Sequence, residues 1–479
     1  MTLQCHPAIK FGSFSQADLD LINTLVAKQI VTFEWEQPAD KAPCEQPKEA
    51  FDPRCFEYSN LAAFPFAAQP RGLINRGNTC FMNAILQPLL HLRPFFGLFH
   101  EFAKYFPADL SHSYGLIEAF IELTGSSVQT KPIQAHSGLN TTQILSPDAL
   151  YDAMKRKGSI LKAVGAQEDA HEFFCHLIDG LHEEFLQHIS HNPTLYHRPQ
   201  PAEPEEGWKK ILSKRDRPPS IQRHAYAGKE TPISGIFSGC TRSSIKYSTY
   251  SGNFPNSKES VTIEPFFCLQ LDIQHHKDPE AKPNLLSSLK AHSSPENVQY
   301  SPGEENYDAS KSITFESLPQ CLCINFKTFA YSYNTGDILK LDKFISYPAY
   351  FTFPSESIHR HQDYPEIEAP SYKLISVVYH HGKGASGGHY TSDVLVATDS
   401  RKSVWMRFDD EVVVGEVSEA EVLREKPHQS AYILFYQRLD PGQEVSGAEG
   451  TEGGSLWTTA KASKGRPKGF LESRGDGWI

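Results

Sequence analysis

The sequence Gly72-Leu73-Ile74-Asn75-Arg76-Gly77-Asn78-Thr79-Cys80-Phe81-Met82-Asn83-Ala84-Ile85-Leu86-Gln87 has the pattern of a turn that leads into a helix. Gly77-Asn78 tolerates turn geometry, and Asn78 or Thr79 can cap a helix that begins near Cys80. A thiol in the first turn of a helix lies at its positive end, which favours the nucleophilic thiolate. A free cysteine is more often a small buried apolar residue, so the prediction of a nucleophile depends on finding a base.

A candidate base lies late in the chain, in Gly384-Ala385-Ser386-Gly387-Gly388-His389-Tyr390-Thr391. Two glycines precede His389, which allows a ligand to approach the backbone closely, and a strand is predicted at Tyr390–Val396. The stretch Trp405-Met406-Arg407-Phe408-Asp409-Asp410 follows. Separately, these would be a packed core histidine and a solvated turn. In the order cysteine, histidine, acid, they predict the triad of a cysteine protease.

A third stretch, Gln167-Glu168-Asp169-Ala170-His171-Glu172-Phe173, opens a predicted helix. Acidic residues in a first turn ordinarily complement the helix dipole, so composition alone gives them no further role. The helix has one apolar face at spacings of three and four. The residues of that face are Ala170, Phe173, Phe174, Leu177, Ile178, Leu181 and Phe185.

The order of helical and extended patterns predicts an α+β fold. Residues 78–190 have helical periodicity, whereas 232–438 contain runs rich in β-branched and aromatic residues. The predicted strands are Phe266–Ile273, Leu322–Phe326, Tyr372–Tyr379 and Ala431–Tyr436.

Polar and proline-rich segments divide the chain. Residues 1–70 predict a mostly disordered arm, with one short helix after Ser15. A disordered surface insertion is expected at about 191–220, and a loop at 290–312. Residues 439–479 are rich in glycine and predict a flexible tail, which leaves 71–438 as the folded domain.

Composition excludes several classes of function. The chain has 479 residues and a formal charge of −11, which argues against a nucleic-acid partner. Its nine cysteines are irregularly spaced and include no CxxC pair, so neither a disulfide framework nor a zinc ribbon is expected. No signal peptide and no run of ~18 apolar residues is visible. We therefore expect a cytoplasmic or nuclear protein without a membrane partner.

Residues Gly72–Gln87, Gln167–Phe173 and Gly387–Asp410 resemble the Cys box, the QEDA box and the His box of the ubiquitin-specific proteases. The resemblance covers 72–438 and implies a papain-like α+β fold with a helical thumb, a β-sheet palm and β fingers. It implies deubiquitinase activity, the thiol-dependent hydrolysis of isopeptide and peptide bonds at the C-terminal glycine of ubiquitin on protein conjugates. No cofactor is implied.

The resemblance also implies roles for single residues. Cys80 would be the nucleophile, His389 the general base and Asp409 the group that orients His389. Asn75 would line the oxyanion hole, and Asp410 would assist. Asp409 is preferred as the third member because it occupies the first acidic position after the aromatic residue, and Asp410 stays an alternative.

Substrate-binding residues follow from the same resemblance. The C-terminal tail of ubiquitin is basic and ends in Gly-Gly, so Asp169 and Glu168 would meet its arginines through charge-assisted hydrogen bonds. Gln167 belongs to the same set, and Gly388 and Tyr390 would wall a narrow channel that admits the unbranched end.

The sequence departs from the family pattern in three places. Family members commonly bind zinc at the fingertips through two CxxC pairs, but Arg242–Tyr250 and Tyr300–Asp308 contain no cysteine. Thr328 stands where the family usually has arginine. Pro88, inside the helix that begins at Cys80, is expected to kink or end it. His380-His381 does not predict a metal site, because adjacent strand residues face opposite ways.

Three further stretches, Thr231–Gly239, Glu264–Gln274 and Val377–Gly382, resemble one zinc-poor subfamily. Phe11-Gly12-Ser13-Phe14 resembles the short motif with which that subfamily binds the NTF2-like domain of a stress-granule RNA-binding protein. Two aromatic anchors, with Gly12 letting the chain follow a groove, suit such a peptide ligand.

Two other functions stay open. The chain could be a catalytically silent scaffold that docks through Phe11–Phe14, or a protease for another ubiquitin-like modifier. The intact set of Cys80, His389 and Asp409 argues against the scaffold.

Overall fold

The helical part of the molecule precedes most of its strands, as the sequence predicts. The computed structural model describes residues 68–104, 114–127, 144–157, 167–191, 220–223, 230–251, 254–273, 283–302, 305–331, 336, 338–341, 343–360, 368–382, 384, 387–397 and 403–439. The first helices are α1 (Cys80–His91), α2 (Arg93–Phe102), α3 (Gly115–Ser127), α4 (Asp148–Arg156) and α5 (Ala170–His191).

The helix α1 does not end at Pro88. It runs to His91, where the backbone N–H of Leu92 donates to the carbonyl oxygens of Pro88 (2.9 Å) and Leu89 (3.3 Å). The helix α2 then begins at once, with a proline in its first turn, where the missing N–H is no loss. Pro88 is tolerated because it lies only one turn from the helix end.

The helices pack around α5, and its predicted apolar face is buried along its whole length. Phe95 and Phe99 of α2 lie 5.1 and 4.9 Å, between ring centroids, from Phe120 of α3. Phe174 and Phe185 of α5 extend the same aromatic cluster. Phe81, next to Cys80 on α1, packs 5.6 Å, between ring centroids, from Phe173 of α5, so α5 supports the helix that begins at Cys80.

Within the described residues, eight strands form the larger sheet, in the order β14-β13-β12-β11-β15-β7-β4 with β10 paired to β11. The predicted strand at 266–273 is divided: one strand ends at Phe266 and the next begins at Leu269. The strands of this sheet are β4 (Leu269–Asp272), β7 (Cys321–Lys327), β10 (Tyr350–Thr352), β11 (Ser371–His381), β12 (His389–Ala397), β13 (Ser403–Asp409), β14 (Val412–Val417) and β15 (Gln429–Arg438).

A five-stranded sheet of the described residues follows the order β1-β3-β2-β6-β5. Its strands are β1 (Ser220–Arg223), β2 (Gly239–Ser251), β3 (Phe254–Phe266), β5 (Glu296–Tyr300) and β6 (Tyr307–Ser317). The remaining elements are α6 (Pro232–Phe237), α7 (Leu285–Ser293), a pair formed by β8 (Phe329–Tyr331) and β9 (Ile338–Lys340), a 3-10 turn (Ser355–Ser357), and α8 (Glu419–Leu423).

The prediction of a loop at 290–312 is wrong. This stretch holds the end of α7, all of β5 and the first half of β6. The side chains of β5 are exposed or half-buried, so the strand carries no apolar alternation for sequence analysis to detect. Backbone pairing of Glu296–Tyr300 with Tyr307–Lys311 holds it in the sheet instead.

Several sequence-based expectations fall outside the described residues. They are the arm up to residue 67 with its Phe11–Phe14 motif, residues 192–219 of the insertion, and the tail from 440. Among the described residues, no helix combines the length and the apolar character needed to cross a bilayer.

Candidate active site

Cys80 is the first residue of α1 and only 3% exposed. The turn before it is left-handed at Gly77 (φ +98°) and Asn78 (φ +58°). Thr79 occupies the N-cap position, although its hydroxyl makes no hydrogen bond to the helix and binds Asn75 instead. The thiol therefore lies among the unpaired N–H groups of a helix start, where a negative charge is stabilised.

The side chain of Asn75 organises this turn. Its Oδ1 accepts hydrogen bonds from the backbone N–H of Gly77 (2.9 Å) and Thr79 (3.1 Å). Its Nδ2 donates to Oδ2 of Asp410 at 2.7 Å. An amide nitrogen carries two hydrogens, so one can still point to an oxyanion beside Cys80.

His389 and Asp409 face each other at the ends of paired strands. His389 is the first residue of β12 and Asp409 the last of β13, and Nε2 of the histidine lies 2.6 Å from Oδ1 of the aspartate. The pKa of His389 is raised to about 9, because its hydrogen bond with Cys80 and then that with Asp409 outweigh the opposing effect of burial. Proximity to both groups makes His389 the centre of a thiol–imidazole–carboxylate chain.

Asp410 has different partners from Asp409. It has a left-handed backbone (φ +47°), and its Oδ1 accepts a hydrogen bond from Nδ2 of Asn83 at 2.8 Å. Its backbone oxygen accepts from the N–H of Leu73 at 2.8 Å. Together with the bond from Asn75, these contacts join the turn after β13 to the loop and helix that carry Cys80.

Gly388, just before His389, lies against the neighbouring strand. A Cβ atom there would be 2.3 Å from Nε2 of His380 and 2.6 Å from the carbonyl oxygen of His381. The side-chain amide of Gln167 donates to the carbonyl oxygen of Gly388. The absence of a side chain thus lets the approach to His389 pack closely on β11, while Gln167 holds it from the side of α5.

Comparison with known families decides the identity of this fold. The profile described as "Ubiquitin carboxyl-terminal hydrolase" matches residues 71–436. The chain belongs to this family.

Two curated relatives match about 80% of the chain. It is 33% identical over 418 residues to ubiquitin carboxyl-terminal hydrolase 10 of Rattus norvegicus, covering 80% of this chain and 50% of the relative. It is also 33% identical over 418 residues to probable ubiquitin carboxyl-terminal hydrolase 3 of Schizosaccharomyces pombe, covering 76% of that protein. The chain spans about half the length of the vertebrate relatives it matches.

Solved structures share the fold. The SAGA Ubp8/Sgf11/Sus1/Sgf73 DUB module bound to ubiquitin aldehyde contains a chain 24% identical to this one, with a TM-score of 0.55. The match covers 78% of this chain and 70% of the other. It confirms the ubiquitin-specific protease type of α+β architecture.

The QEDA segment opens α5 directly beside the larger sheet. Oδ1 of Asp169 accepts from the backbone N–H of His171 (2.8 Å) and Glu172 (3.0 Å), so it caps the helix, and its Oδ2 accepts from the hydroxyl of Tyr432 at 2.5 Å. Tyr390 is only 4% exposed and packs 5.8 Å, between ring centroids, from Tyr432. Asp169 thus has structural partners, and a carboxylate has spare lone pairs for a further donor.

The structure brings most of the predicted site residues together. Cys80, Asn75, His389, Asp409 and Asp410 form one connected network. Gln167, Asp169, Gly388 and Tyr390 line its α5 side, and Glu168 is half-buried next to them. In the part of the chain that the structure describes, His389, Asp409 and Asp410 are the only group of three possible metal ligands within 4.8 Å. All three already have hydrogen-bond partners that suit a hydrolase triad.

Sequence analysis missed two residues of this site. Asn83 is 2% exposed and bonds Asp410, and Tyr432 bonds Asp169. A polar residue one turn after Cys80, on a mostly apolar helix, is a signal that could have identified Asn83. Tyr432 lies in an aromatic strand pattern that gives no such signal.

Proposed function

We propose that the chain is a deubiquitinase, a cysteine-type ubiquitinyl hydrolase that cleaves isopeptide and peptide bonds at the C-terminal glycine of ubiquitin. The observation that carries the proposal is the position of His389, which bonds Asp409 through Nε2 and interacts with the thiol of Cys80. A thiolate next to an imidazolium held by a carboxylate is an activated nucleophile.

The proposed reaction starts with attack of the Cys80 thiolate on the carbonyl carbon of the last glycine. The helix start at Cys80 and the amide of Asn75 stabilise the oxyanion that develops. His389 then protonates the departing lysine amine, leaving a thioester. It next takes a proton from water, which hydrolyses the thioester and releases ubiquitin. Asp409 keeps the ring oriented throughout, and Asp410 holds Asn75 in place.

Ubiquitin as the substrate is supported by the fold and by charge. The Ubp8/Sgf11/Sus1/Sgf73 module, whose fold this chain shares, is bound to ubiquitin aldehyde. In this chain, Glu168 and Asp169 put acidic groups beside the approach to Cys80, as a basic tail ending in two glycines requires. Gly388 and Tyr390 would flank the tail, and Gln167 would fix the wall that Gly388 forms.

The proposal is tested with a fluorogenic C-terminal amide of ubiquitin. We expect turnover by the full chain, and its loss in Cys80→Ala. Cys240→Ala is the matched control, because it also removes a thiol but lies on β2, and it should retain activity. Absent turnover by the wild-type chain would favour a silent scaffold.

The modifier is tested separately with propargylamide probes. Ubiquitin and ubiquitin-like modifiers carrying this warhead are offered to the full chain, and covalent capture is followed on gels. We expect capture by the ubiquitin probe and not by Cys80→Ala. Preferential capture by another modifier would replace ubiquitin in the proposal while leaving the chemistry intact.

The chain divides into an arm, a catalytic unit and a tail. The catalytic unit is 71–438, which the family match at 71–436 supports, between the arm 1–70 and the tail 439–479.

Phe11, Gly12 and Phe14 would dock an NTF2-like domain of a stress-granule RNA-binding protein. The protein would then act in the cytoplasm, with the nucleus as a second location. Pull-down of that domain should be lost with Phe11→Ala and kept with Phe33→Ala; unchanged binding by Phe11→Ala contradicts docking.

A further inference from the structure

A second group of thiols lies outside the catalytic centre, where α5 meets the edge of the palm sheet. His171 and Cys175 are on α5, with Nε2 of the histidine 3.4 Å from Sγ of the cysteine. Cys268 lies between β3 and β4, and Cys323 is on β7. The thiol of Cys323 donates to Sγ of Cys268 at 3.3 Å. None of these four residues has a part in the proposed hydrolysis.

The backbone around Cys268 and Cys323 suits a disulfide. Strands β4 and β7 pair in parallel, with Leu269 opposite Ile324. Cys268 directly precedes β4, and Cys323 precedes Ile324 on β7, so continuing the register by one residue separates their Cα atoms by about one strand spacing, ~5 Å. Disulfides span Cα distances of about 4.4–6.8 Å. A small rotation of the side chains is enough to bring the sulfurs into bonding distance.

The surroundings make one thiol of this pair acidic and the other neutral. Burial alone would raise the pKa of Cys268, but hydrogen bonds from Cys323 and His171 lower it to about 6. Cys323 is fully buried, and its pKa is raised well above the ordinary value by burial and by the neighbouring Cys268. Cys268 therefore accepts and Cys323 donates.

The other titratable neighbours fit the same charge distribution. The pKa of His171 is raised to about 10, because its bonds to Cys175 and Cys268 overcome the effect of burial. Burial raises the pKa of Cys175 and of Cys321, so both stay neutral thiols. The directions of these shifts favour the thiolate form of Cys268 and the protonated form of His171.

We propose that Cys268 is a second reactive thiol of this protein, and that hydroperoxides oxidise it to a disulfide with Cys323. The proposal rests on the 3.3 Å contact between the sulfurs, the parallel register of their strands, and the partial exposure of Cys268 beside His171. It is independent of the proposed hydrolase activity, since Cys80 takes no part.

The chemistry has two steps. The Cys268 thiolate attacks one oxygen of the hydroperoxide, forming an S–O bond and breaking the O–O bond; the leaving oxyanion takes a proton from the His171 imidazolium. The sulfur of Cys323 then attacks the sulfenic sulfur, forming the S–S bond and breaking the S–O bond. The hydroxide that leaves takes the Cys323 proton and departs as water. Two electrons pass from the two thiols to the peroxide.

The cross-link would fix the point at which the chain passes from the five-stranded sheet into the larger sheet. The chain passes from β3 of the five-stranded sheet into β4, the edge strand of the palm sheet, through Phe267 and Cys268. A bond to Cys323 would tie this passage to β7 and close a loop of 55 residues that contains β4, α7, β5 and β6. Because β4 and β7 are neighbours in the larger sheet, the bond would hold the start of β4 against β7 where the chain enters that sheet from β3.

The bond is tested in the full chain with Cys80→Ser, which removes the catalytic thiol from the readout. After hydrogen peroxide and quenching with N-ethylmaleimide, we expect a linked peptide of Cys268 and Cys323 by mass spectrometry, reversed by dithiothreitol. In the Cys323→Ala background, dimedone should instead trap a sulfenic acid on Cys268. Peroxide treatment that leaves both thiols free to label, or links other cysteines, overturns the proposal.

The role of His171 is tested by the rate of alkylation. At pH 7, iodoacetamide should modify Cys268 faster than Cys240, which is also a partly exposed cysteine on a strand. His171→Gln should slow alkylation of Cys268 about tenfold at pH 7 and much less at pH 9, because the thiolate is lost only at the lower pH. Equal rates for Cys268 and Cys240, or an unchanged rate in His171→Gln, contradict a reactive thiolate.

Discussion

Asp409 and Asp410 are adjacent in the chain but serve opposite sides of the site. The first is bonded to His389, and the second holds Asn75 and Asn83. Asp410 has a left-handed backbone, and its two carboxylate oxygens accept from the amides of Asn75 and Asn83 rather than bonding the histidine. The sequence identified both acids, but the division of work between them depends on a backbone angle that residue type alone does not determine.

The pH dependence of hydrolysis should report the His389 environment. Since the pKa of His389 is raised to about 9, its protonated form, which can donate to the leaving amine, persists below that pH and is lost above it. We therefore expect kcat/KM for a ubiquitin C-terminal amide to fall as pH rises through about 9. In Asp409→Asn this fall should move to lower pH; an unmoved limb would show that the carboxylate has no influence on the ring.

The two acids should separate when stability and activity are measured together. Asp409→Ala should lower kcat by about 100-fold or more with little change in unfolding free energy, because it removes the partner of His389 only. Asp410→Ala removes the carboxylate that accepts from Asn75 and Asn83, but Nδ2 of Asn83 keeps the carbonyl oxygens of Leu73 and Ile74 at 3.3 Å, so the unfolding free energy should also fall by about 1 kcal/mol. Urea unfolding and steady-state kinetics check both. The reverse ranking would assign the third triad position to Asp410.

At the scale of elements, sequence patterns worked where burial is one-sided or complete. The face of α5 and the strands β7, β11 and β15 were predicted because their apolar periodicity is strong. The hairpin of β5 and β6 was missed, since its side chains are mostly half-exposed and its pairing is through the backbone. The contact between Cys268 and Cys323 was also missed, because register between strands 55 residues apart is not visible in either strand.

The turn between β11 and β12 should be intolerant of any side chain at Gly388. A methyl group there would overlap His380 and the backbone of His381, and relief requires the start of β12, with His389, to move. A displacement near 1 Å can reduce the rate about 100-fold, so we expect a loss of that order in kcat/KM for Gly388→Ala. Gly235→Ala is the control, since its Cβ would meet nothing within 4 Å. Activity of Gly388→Ala close to wild type would contradict the tight packing.

At the scale of the whole molecule, one buried charge cluster connects three parts of the palm. Asp393 of β12 is fully buried and accepts two hydrogen bonds of 2.8 Å from Arg407 of β13. The hydroxyl of Tyr379 on β11 donates to it at 3.1 Å, and Lys426 lies 3.7 Å away. Sequence analysis gave no indication of this cluster, because its members are far apart in the chain and each is an ordinary charged or aromatic residue.

Removing the central carboxylate should destabilise the molecule strongly. Asp393→Ala leaves Arg407 and Lys426 without their shared anion, and breaking a buried pair from one side costs about 3–5 kcal/mol. The matched control is Glu356→Gln, which breaks a surface pair with Lys290 whose side chains are 56% and 57% exposed. That change should alter the unfolding free energy by less than about 1 kcal/mol. Similar losses in both variants would show that the buried cluster is no stronger than a surface pair.

The position of β15 determines at what point of synthesis the larger sheet can be completed. It is the last strand of the described chain, yet it lies inside the palm sheet, between β11 and β7. The ribosome therefore releases Cys80 and the helices long before the strand that joins the two halves of the sheet. Until Gln429–Arg438 has emerged, β11 and β7 lack a common neighbour, and the nascent chain exposes two unpaired edges. The position of His389 opposite Cys80 thus depends on a sheet that is completed only when nearly the whole domain has been made.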